Sequence, residues 1–353
     1  SRPSHLHLRF LSLACLPLLF WGQLTPVRAQ SERHELEQVA MGVNFRFILY
    51  HADPEVARRL LADAARRVAE LDQALSDYRE QSETNRLCRS APHAIPQAVS
   101  PDLFRVLERG LGFSQLTGNA FDVTVGPASH AWRKAIKRNR LPEAEKLETL
   151  RTAIGSHRVR LVPPDRVQLL APDMQLDFGG IAQGDAADQI ADLFRAAGVT
   201  SALIDASGDV LALGAPPGAA GWPIEIPGLD GAESTTILLR DAAVSTSGDR
   251  EQRLVVEGVR YSHIIDPRTA RAVKQSVQAT VIAPSATAAD ALASALCVLT
   301  PDEGLALIAP IPGTAARLQL PSTASPPAGQ GDSESLLRES PNFREFIRPR
   351  PER

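Results

Sequence analysis

The spacing of apolar residues near the start of the chain predicts a strand followed by a long helix. Residues 44–50 place Phe or Leu at every second position, which is the period of a strand. Asp53 then offers an N-cap and Pro54 a first helical residue, and apolar side chains recur at helical spacing as far as Leu75. This helix delivers the segment Ser76-Asp77-Tyr78 at its C-terminal end.

Two further helices are predicted on either side of a glycine-rich segment. The first is capped by Ser100 and runs to Gly118. Residues 176–188 read L-D-F-G-G-I-A-Q-G-D-A-A-D, which begins with strand-like alternation and ends in a helical pattern that stops at Gly198. Such glycines let the backbone pass close to a ligand, and the helix start that follows can bind a phosphate. The same pattern also fits a tight strand-to-helix turn without a ligand.

The second half of the chain is predicted to consist mainly of strands. Strands are predicted at residues 202–204, 222–226, 235–240, 254–256, 259–261 and 277–282. A nearly wholly apolar helix follows over residues 286–299. Because runs of strands with interspersed helices are typical of antiparallel sheets, we predict an α+β fold with largely antiparallel pairing and not a doubly wound parallel sheet.

The N-terminal residues are predicted to form a secretory signal peptide. Two arginines precede an apolar run over residues 10–21, and residues 27–29 fit a cleavage site of the small-residue type. The run is shorter than the roughly 20 apolar residues of a membrane span. Lipid attachment at Cys15 is the alternative, although Ser12 stands where a lipoprotein signal favours Leu. We therefore expect a periplasmic protein that meets a membrane only through a partner or such an anchor.

The C-terminal residues differ in composition from the rest of the chain. Residues 321–334 are rich in Ser, Pro, Gly and Gln and predict a mobile loop, and the Arg- and Pro-rich end predicts disorder. The predicted organisation is a signal peptide over residues 1–29, one domain over residues 30–320 and a partly disordered tail over residues 321–353.

The charge balance argues against nucleic acid as a partner. The 353 residues contain 38 Lys and Arg against 41 Asp and Glu, and loss of residues 1–29 removes three arginines and no acid, which leaves a net charge of −6. A nucleic-acid-binding domain would show a basic patch. Two cysteines remain, Cys88 in a polar loop and Cys297 in an apolar helix, and the sequence alone does not establish a disulfide between them.

Four other segments carry motifs that add to the glycine-rich one. They read A-F-D-V-T-V-G-P at residues 120–127, S-T-S-G-D at 245–249, Y-S-H-I-I-D-P-R-T at 261–269 and T-A-A-D-A-L-A-S at 287–294. In this order the five motifs resemble the ApbE family, the FAD:protein FMN transferases, and the resemblance runs from about Met41 to Leu307. It implies a T-fold-like core within the α+β fold, FAD as a substrate and Mg²⁺ as a cofactor.

Asp290 and Ser294 are predicted metal ligands. They are four residues apart on a helix, so both side chains emerge from one face, and hard oxygen ligands suit Mg²⁺. The alternative is that Asp290 complements a helix dipole and Ser294 faces solvent. The resemblance supports the metal, because the family places Asp and Thr at this spacing, with a backbone oxygen that maps to Gly180. Ser in place of Thr keeps the hydroxyl.

The resemblance also assigns FAD contacts along most of the chain. These contacts are Met41, Tyr78, Ala120, Phe121, Asp122, Asp177, Gln183 and Ile265. Tyr78 offers a flat face to an aromatic ring system, and the carboxylates of Asp122 and Asp177 can accept hydrogen bonds from ribose or ring N–H groups. Taken singly, the aromatic residue also fits a core position and the carboxylates also fit turn caps.

Three residues are candidates for catalysis. The resemblance places His263 at the FAD site, where it either orients the pyrophosphate or handles a proton, and the sequence leaves both roles open. Near the metal, Asp290 or Asp249 is expected to position or deprotonate the incoming hydroxyl.

The chain departs from the family pattern at several positions. Gln183 stands where Lys or Glu is usual in the family, so a contact with FAD that depends on charge is not expected from this residue. Ala270 and Ala272 replace the usual Gly and Pro, which predicts a remodelled turn. Ser207 replaces a common Gly, which matters only if φ is positive at that position.

The leading hypothesis is a periplasmic Mg²⁺-dependent transferase. It would split FAD at its pyrophosphate, pass FMN to a Thr or Ser hydroxyl of an exported or membrane-bound redox protein, and release AMP. The metal would neutralise the charge that develops on the leaving AMP. Two alternatives remain open, namely hydrolysis of FAD to FMN and AMP, and storage or delivery of flavin without chemistry.

Overall fold

The structure is a computed structural model that describes residues 31–229, 233–248, 253–321 and 336–348. The predicted signal peptide, its cleavage site and Cys15 lie outside these residues, and so does Asp249. None of the helices in the described ranges is long and apolar enough to cross a membrane.

An antiparallel sheet forms the centre of the described chain. The strands, in chain order, are β1 (Glu32–Ala40), β2 (Val43–His51), β3 (Gln97–Ala98), β4 (Val159–Val162), β5 (Arg166–Leu169), β6 (Ala202–Ala206), β7 (Asp209–Leu213), β8 (Trp222–Ile226), β9 (Thr235–Leu239), β10 (Ala242–Ser247), β11 (Arg253–Val256), β12 (Val259–Ser262), β13 (Ile265–Asp266), β14 (Arg271–Ala272), β15 (Gln278–Ala283), β16 (Ala315–Leu320) and β17 (Leu336–Glu339). The main sheet has the order β1-β2-β6-β7-β10-β15-β16-β17, and all neighbouring pairs are antiparallel. Smaller sheets are β8-β9, β11-β12, β13-β14 and β3-β5-β4.

The helices begin where the sequence supplies caps. They are α1 (Pro54–Leu75), α2 (Glu83–Arg89), α3 (Pro101–Leu116), α4 (Gly126–Arg138), α5 (Ala144–Arg151), α6 (Ala182–Ala196), α7 (Ala286–Val298) and α8 (Pro301–Ile308). The Asp53 carboxylate accepts from the backbone N–H groups of Glu55 and Val56, at 2.8 and 3.2 Å. The Ser100 hydroxyl accepts from the N–H of Leu103 in the same way.

The main sheet has a helix face and an outer face. Helices α1, α6 and α7 pack on the helix face, where they form the larger core with Leu211 and Leu213 of β7. Val210 and Ala212 of the same strand belong to a second core on the outer face, beneath the β8-β9 hairpin. This alternation follows from the two-residue period of a strand, and it decides which side chains can meet α7.

The predicted α+β class with largely antiparallel pairing is confirmed. Strand β1 was not predicted from the sequence; it pairs with β2 from Glu32↔His51 to Ala40↔Val43. Only the last residue of this edge strand is buried, so its sequence carries no alternation of apolar and polar positions.

The described fold continues beyond the predicted domain end at residue 320. β17 pairs with β16, and Phe343 is fully buried in the outer core with the Arg317 guanidinium 4.6 Å from its ring centre. Residues 336–348 therefore pack as part of the domain, although the composition of the preceding residues suggested only a tail.

Candidate active site

The glycine-rich turn before α6 lies directly against α7. A Cβ atom on Gly184 would be 2.4 Å from the Ala286 carbonyl oxygen, and one on Gly180 would be 2.7 Å from Ser294 Oγ. Both separations are shorter than van der Waals contact, so a side chain at position 184 would collide with backbone, and one at position 180 would displace the Ser294 side chain. The Gly184 N–H donates to Asp290 Oδ2 at 3.2 Å. The three predicted metal-site residues Gly180, Asp290 and Ser294 therefore lie in one place.

Strands β7 and β10 add further oxygen atoms to this place. We call Asp209, Ser245, Ser247, Asp290 and Ser294 the oxygen cluster. The hydroxyl of Ser245 donates to Asp209 Oδ1, and Ser247 Oγ lies 3.4 Å from Ser294 Oγ. Asp290 is 4% exposed and lies beyond the first turn of α7, which contains no acidic residue. A residue that complements the helix dipole lies within the first turn, so the position of Asp290 does not fit that role.

The two carboxylates of the oxygen cluster occupy an environment that disfavours negative charge. Burial raises the pKa of Asp209 to about 6. Burial and the neighbouring Asp209 carboxylate together raise the pKa of Asp290 well above its usual range. In the described ranges neither carboxylate forms an ion pair with Lys or Arg, and no three His, Cys, Asp or Glu side chains form a metal-binding group. Two carboxylates with neighbouring hydroxyls nevertheless form a hard oxygen donor set, which fits Mg²⁺.

A cavity of about 300 Å³ opens beside the glycine-rich turn, and we call it the turn cavity. Its lining consists of Met41, Gly42, Asp72, Leu75, Ser76, Asp77, Tyr78, Arg79, Phe178, Gly179, Ala182 and Gln183. Three of the predicted FAD contacts, Met41, Tyr78 and Gln183, are thus brought together. Among the described residues Gln183 Oε1 is buried without a hydrogen-bond partner, so it can accept from a ligand.

Tyr78 stands at the mouth of the turn cavity with 77% of its surface exposed. The guanidinium carbon of Arg133, on α4, lies 4.5 Å from the ring centre. Arg133 also pairs with Asp77 and, at 2.8 Å, with Asp177. One face of the tyrosine ring is therefore covered by a fixed cation, and a flat ligand can stack only on the other face.

Asp77 connects this arginine to a histidine. His130 Nε2 lies 3.3 Å from Asp77 Oδ2, and His130 Nδ1 lies 2.6 Å from Gln175 Oε1. Although burial raises the pKa of Asp77, the hydrogen bond from His130 and the charge of Arg133 outweigh it, and the net pKa is lowered. Asp77 is therefore held ionised beneath Tyr78.

Ala120, Phe121 and Asp122 have mainly structural contacts. Ala120 and Phe121 are buried, and a Cβ on Gly180 would be 3.3 Å from the Phe121 ring. The Asp122 carboxylate accepts from the N–H and hydroxyl of Thr124 and, at 2.9 Å, from the N–H of Ser156. These bonds match the turn-capping alternative, and they leave the predicted contact of Asp122 with FAD a prediction.

Asp122 and Ile265 lie apart from the turn cavity. Asp122 lines a second cavity of about 400 Å³ together with Arg158, Pro267 and Arg268. Ile265 is 7% exposed in β13 and packs in a small core around Trp132.

His263 is exposed and lines a groove on the outer face of the sheet. We call this groove, with a volume of about 580 Å³, the outer groove. Its lining consists of Arg46, Leu203, Asp205, Ser207, Gly208, Val210, Pro223, Ile224, Glu225, Ile226, Pro227, Val244, Thr246, Gly248, His263 and Gln278. The structure therefore does not bring His263 to the turn cavity, although the groove reaches the same end of the sheet as the oxygen cluster.

The departures from the family pattern have visible consequences. Ser207 has a φ of +55° and Ala270 a φ of +57°, so both residues adopt the left-handed conformation that glycine favours. Ala270 thus adopts a backbone conformation that glycine favours, and the remodelling of this turn stays a prediction. Each non-glycine residue in this conformation costs roughly 1–2 kcal/mol.

Sequence reasoning missed Asp209 and Arg133. Asp209 follows a serine-glycine turn and belongs to none of the five motifs, and Arg133 has no motif around it either. The helical spacing of Arg133 to His130 was the one available signal, because residues three apart share a helix face.

The α+β fold carries a cavity with aromatic walls next to a buried cluster of carboxylates and hydroxyls. This combination is typical of the active site of an enzyme. The sequence model of the ApbE family matches residues 41–318, and the chain belongs to that family. The family expected from the motifs is therefore confirmed.

Curated relatives cover most of the chain. It is 32% identical over 313 residues to the FAD:protein FMN transferase of Treponema pallidum (strain Nichols), which spans 83% of this chain and 86% of the relative. It is 30% identical over 285 residues to the protein of the same name from Vibrio cholerae, which spans 78% and 84% of the two chains.

Solved structures share the fold. The apo form of the Pseudomonas stutzeri flavinyl transferase ApbE superposes with a TM-score of 0.77 at 27% identity, covering 90% of this chain and 98% of that one. A histidine-to-glycine variant of the Vibrio cholerae flavin transferase ApbE gives 0.78 at 26% identity, covering 89% and 99%.

Proposed function

We propose that this protein is an FAD:protein FMN transferase that uses Mg²⁺, as the names of its relatives and the chemistry of its site suggest. In the proposed reaction a Thr or Ser hydroxyl oxygen of the acceptor bonds to the FMN phosphorus. The bond from that phosphorus to the bridging oxygen breaks, AMP leaves with the bridging oxygen, and the hydroxyl proton passes to a base. The product is a phosphoester.

The observation that carries the proposal is the position of the turn cavity beside the oxygen cluster. Gly179 lines the cavity, and its neighbour Gly180 contacts Ser294 of the cluster. A flavin held at Tyr78 therefore has its phosphate side directed along the glycine-rich turn. This is the arrangement that a transfer at the pyrophosphate requires, because phosphoryl-transfer catalysis depends on positioning and on electrostatic stabilisation of the phosphate charge.

The oxygen cluster supplies the residues that would hold Mg²⁺. Asp290, Ser294 and the backbone of Gly180 are the proposed ligands, and Asp209 adds a second carboxylate beside them. When bound, the cation would neutralise phosphate charge. Asp209 is itself held by Ser245, so its side chain is oriented before any ligand arrives.

Other side chains bind and orient the substrate. Tyr78 offers one ring face to the flavin, while Arg133 fixes the other face and ties Asp177 to Asp77. Gln183 Oε1 accepts from a donor on FAD. His263 is exposed and lines the outer groove, where it is suited to orient or deprotonate an incoming hydroxyl.

We also propose that the protein acts outside the cytoplasm on exported or membrane-bound redox proteins. The support is the signal-like sequence of residues 1–29. N-terminal sequencing of the protein from a periplasmic extract tests this, because cleavage near Gln30 is expected. An uncleaved cytoplasmic product would contradict it.

One incubation tests the activity. The chain is mixed with FAD, Mg²⁺ and the exported proteins of its source organism, and covalent flavin is detected by fluorescence after denaturing electrophoresis. We expect a fluorescent protein band and release of AMP. Free FMN and AMP without a band would indicate hydrolysis, and unchanged FAD would indicate a binding protein only.

A further inference from the structure

The outer groove has one wall built by a continuous stretch of strand. The four residues from Pro223 to Ile226 line it, and so does the following Pro227, which makes five consecutive residues. At roughly 3.3 Å per residue, this wall is about 16 Å long. The floor consists of the outer face of β6, β7 and β10, through residues such as Leu203 and Thr246.

The strand that forms this wall has an open edge. In the described part of the chain β8 pairs with β9 and with no other strand. Pro223 lacks an N–H and is a residue that sheets accept at edges. An extended peptide can be added to such an edge, with its backbone bonded to the strand and its side chains in neighbouring pockets.

The groove ends where the main sheet meets the oxygen cluster. Gly208 and Gly248 line the groove, and the residues beside them, Asp209 and Ser247, belong to the oxygen cluster on the helix face. His263 lies at the groove as well. The turn cavity and the outer groove thus approach one end of the sheet from opposite faces.

We infer that the outer groove binds an extended segment of the protein acceptor, alongside β8, and delivers its Ser or Thr hydroxyl to the rim formed by Gly208, Gly248 and His263. This inference rests on the proposed transfer to a protein. FAD would enter from the helix face and the acceptor from the outer face, so neither substrate blocks the other. The bonds that form and break are those of the proposed reaction.

A chemical block of the groove tests this inference. Glu225 is exposed on β8, and Glu225→Cys provides a site for a bulky polyethylene-glycol maleimide. Cys88 and Cys297 are 8% and 2% exposed, so they are shielded from the reagent. The matched control is Leu337→Cys, which is 44% exposed on β17 at the far edge of the main sheet. Parent protein treated with the same reagent accounts for Cys15.

The acceptor is the protein that the parent chain labels with flavin, and each variant is assayed before and after modification. Before modification, the control should transfer FMN at the parent rate, and the rate of unmodified Glu225→Cys is the reference for the modified protein. After modification, the Glu225→Cys protein should lose at least tenfold in transfer and still bind FAD with parental affinity, while the control stays unchanged. Full transfer by modified Glu225→Cys would overturn the inference and leave the proposed function intact. Absence of transfer by the parent would overturn both.

Discussion

At the scale of single residues, Tyr78 is a proposed contact for the flavin, and its neighbours set the orientation of its ring. Its ring is exposed, but Arg133 covers one face and is itself fixed by Asp77 and Asp177. The sequence predicted an aromatic contact here, and it could not predict Arg133, because nothing local relates residue 133 to residue 78. The structure adds that only one face of the ring is available.

Replacing Tyr78 with Ala should weaken FAD binding. The loss of one stacked ring is worth about 1 kcal/mol, or roughly a fivefold higher Kd. Tyr78→Phe keeps the ring and should bind FAD nearly as the parent does. Fluorescence titration with FAD measures both, and parental affinity in Tyr78→Ala would show that the flavin lies elsewhere.

Asp77 should make the free energy of unfolding depend on pH in the acidic range. Its pKa is lowered in the folded protein, so its contribution is complete above its ordinary value of 3.8 and is lost as the pH falls through the folded value. Asp77→Asn should therefore lower the free energy of unfolding at neutral pH by about 1.5–3 kcal/mol, the value of a hydrogen bond to a charged group.

Urea unfolding of the parent and of Asp77→Asn across the acidic range checks this prediction. The difference between the two proteins should shrink below pH 3.8, because the parent carboxylate then becomes protonated. A difference that stays constant at every pH would mean that the charge of Asp77 does not contribute.

At the scale of elements, the contact between α6 and α7 determines the site. Gly184 brings the start of α6 onto the Ala286 carbonyl, and the same contact lets the Gly184 N–H reach Asp290. The sequence predicted that the glycines of this turn let the backbone pass close to a ligand, with a ligand-free tight turn as the alternative. The structure shows that the close neighbour of Gly184 is α7.

Gly184→Ala should be destabilising, although alanine is a better helix former. Its Cβ would be 2.4 Å from a backbone oxygen, so α6 or α7 must shift, and overpacking of this kind costs typically 1–3 kcal/mol. Gly112→Ala on α3 is the matched control, because nothing lies within 4 Å of its Cβ. That control should gain roughly 0.5–1 kcal/mol.

Thermal unfolding compares these two variants with the parent. The expected result is a lower melting temperature for Gly184→Ala and an equal or higher one for Gly112→Ala. Equal behaviour of both variants would mean that α6 and α7 are not in tight contact at Gly184.

Helix caps and hydrophobic periodicity could be predicted from the sequence, because both are set by residues that are close together in the chain. Asp53 and Ser100 cap α1 and α3 as predicted, and the helices end within a few residues of the expected positions. β1 could not be predicted, because it is an edge strand of mostly exposed polar residues. Its structure depends on pairing with β2, which is a tertiary contact.

At the scale of the whole molecule, the site is assembled from segments that are far apart in the chain. Gly180, Asp290 and Ser294 were predicted to share one site, and the structure brings them together and adds Asp209 through the order of strands in the sheet. Asp209 could not be predicted, because strand order and the face of β7 that meets α7 are properties of the tertiary fold. The same topology separates His263 from the turn cavity and places it on the outer face.

The central claim is that Asp290 holds a cation that the transfer requires. The most direct test is FMN transfer as a function of Mg²⁺ concentration in the parent, Asp290→Asn, Ser294→Ala and Ser294→Thr. Asp290→Asn keeps the size of the side chain and removes its charge, so transfer should collapse at every Mg²⁺ concentration while the melting temperature in metal-free buffer stays near parental. Ser294→Ala should need more Mg²⁺, and Ser294→Thr should behave like the parent. A Mg²⁺ curve in Asp290→Asn that matches the parent would contradict the account and place the cation elsewhere.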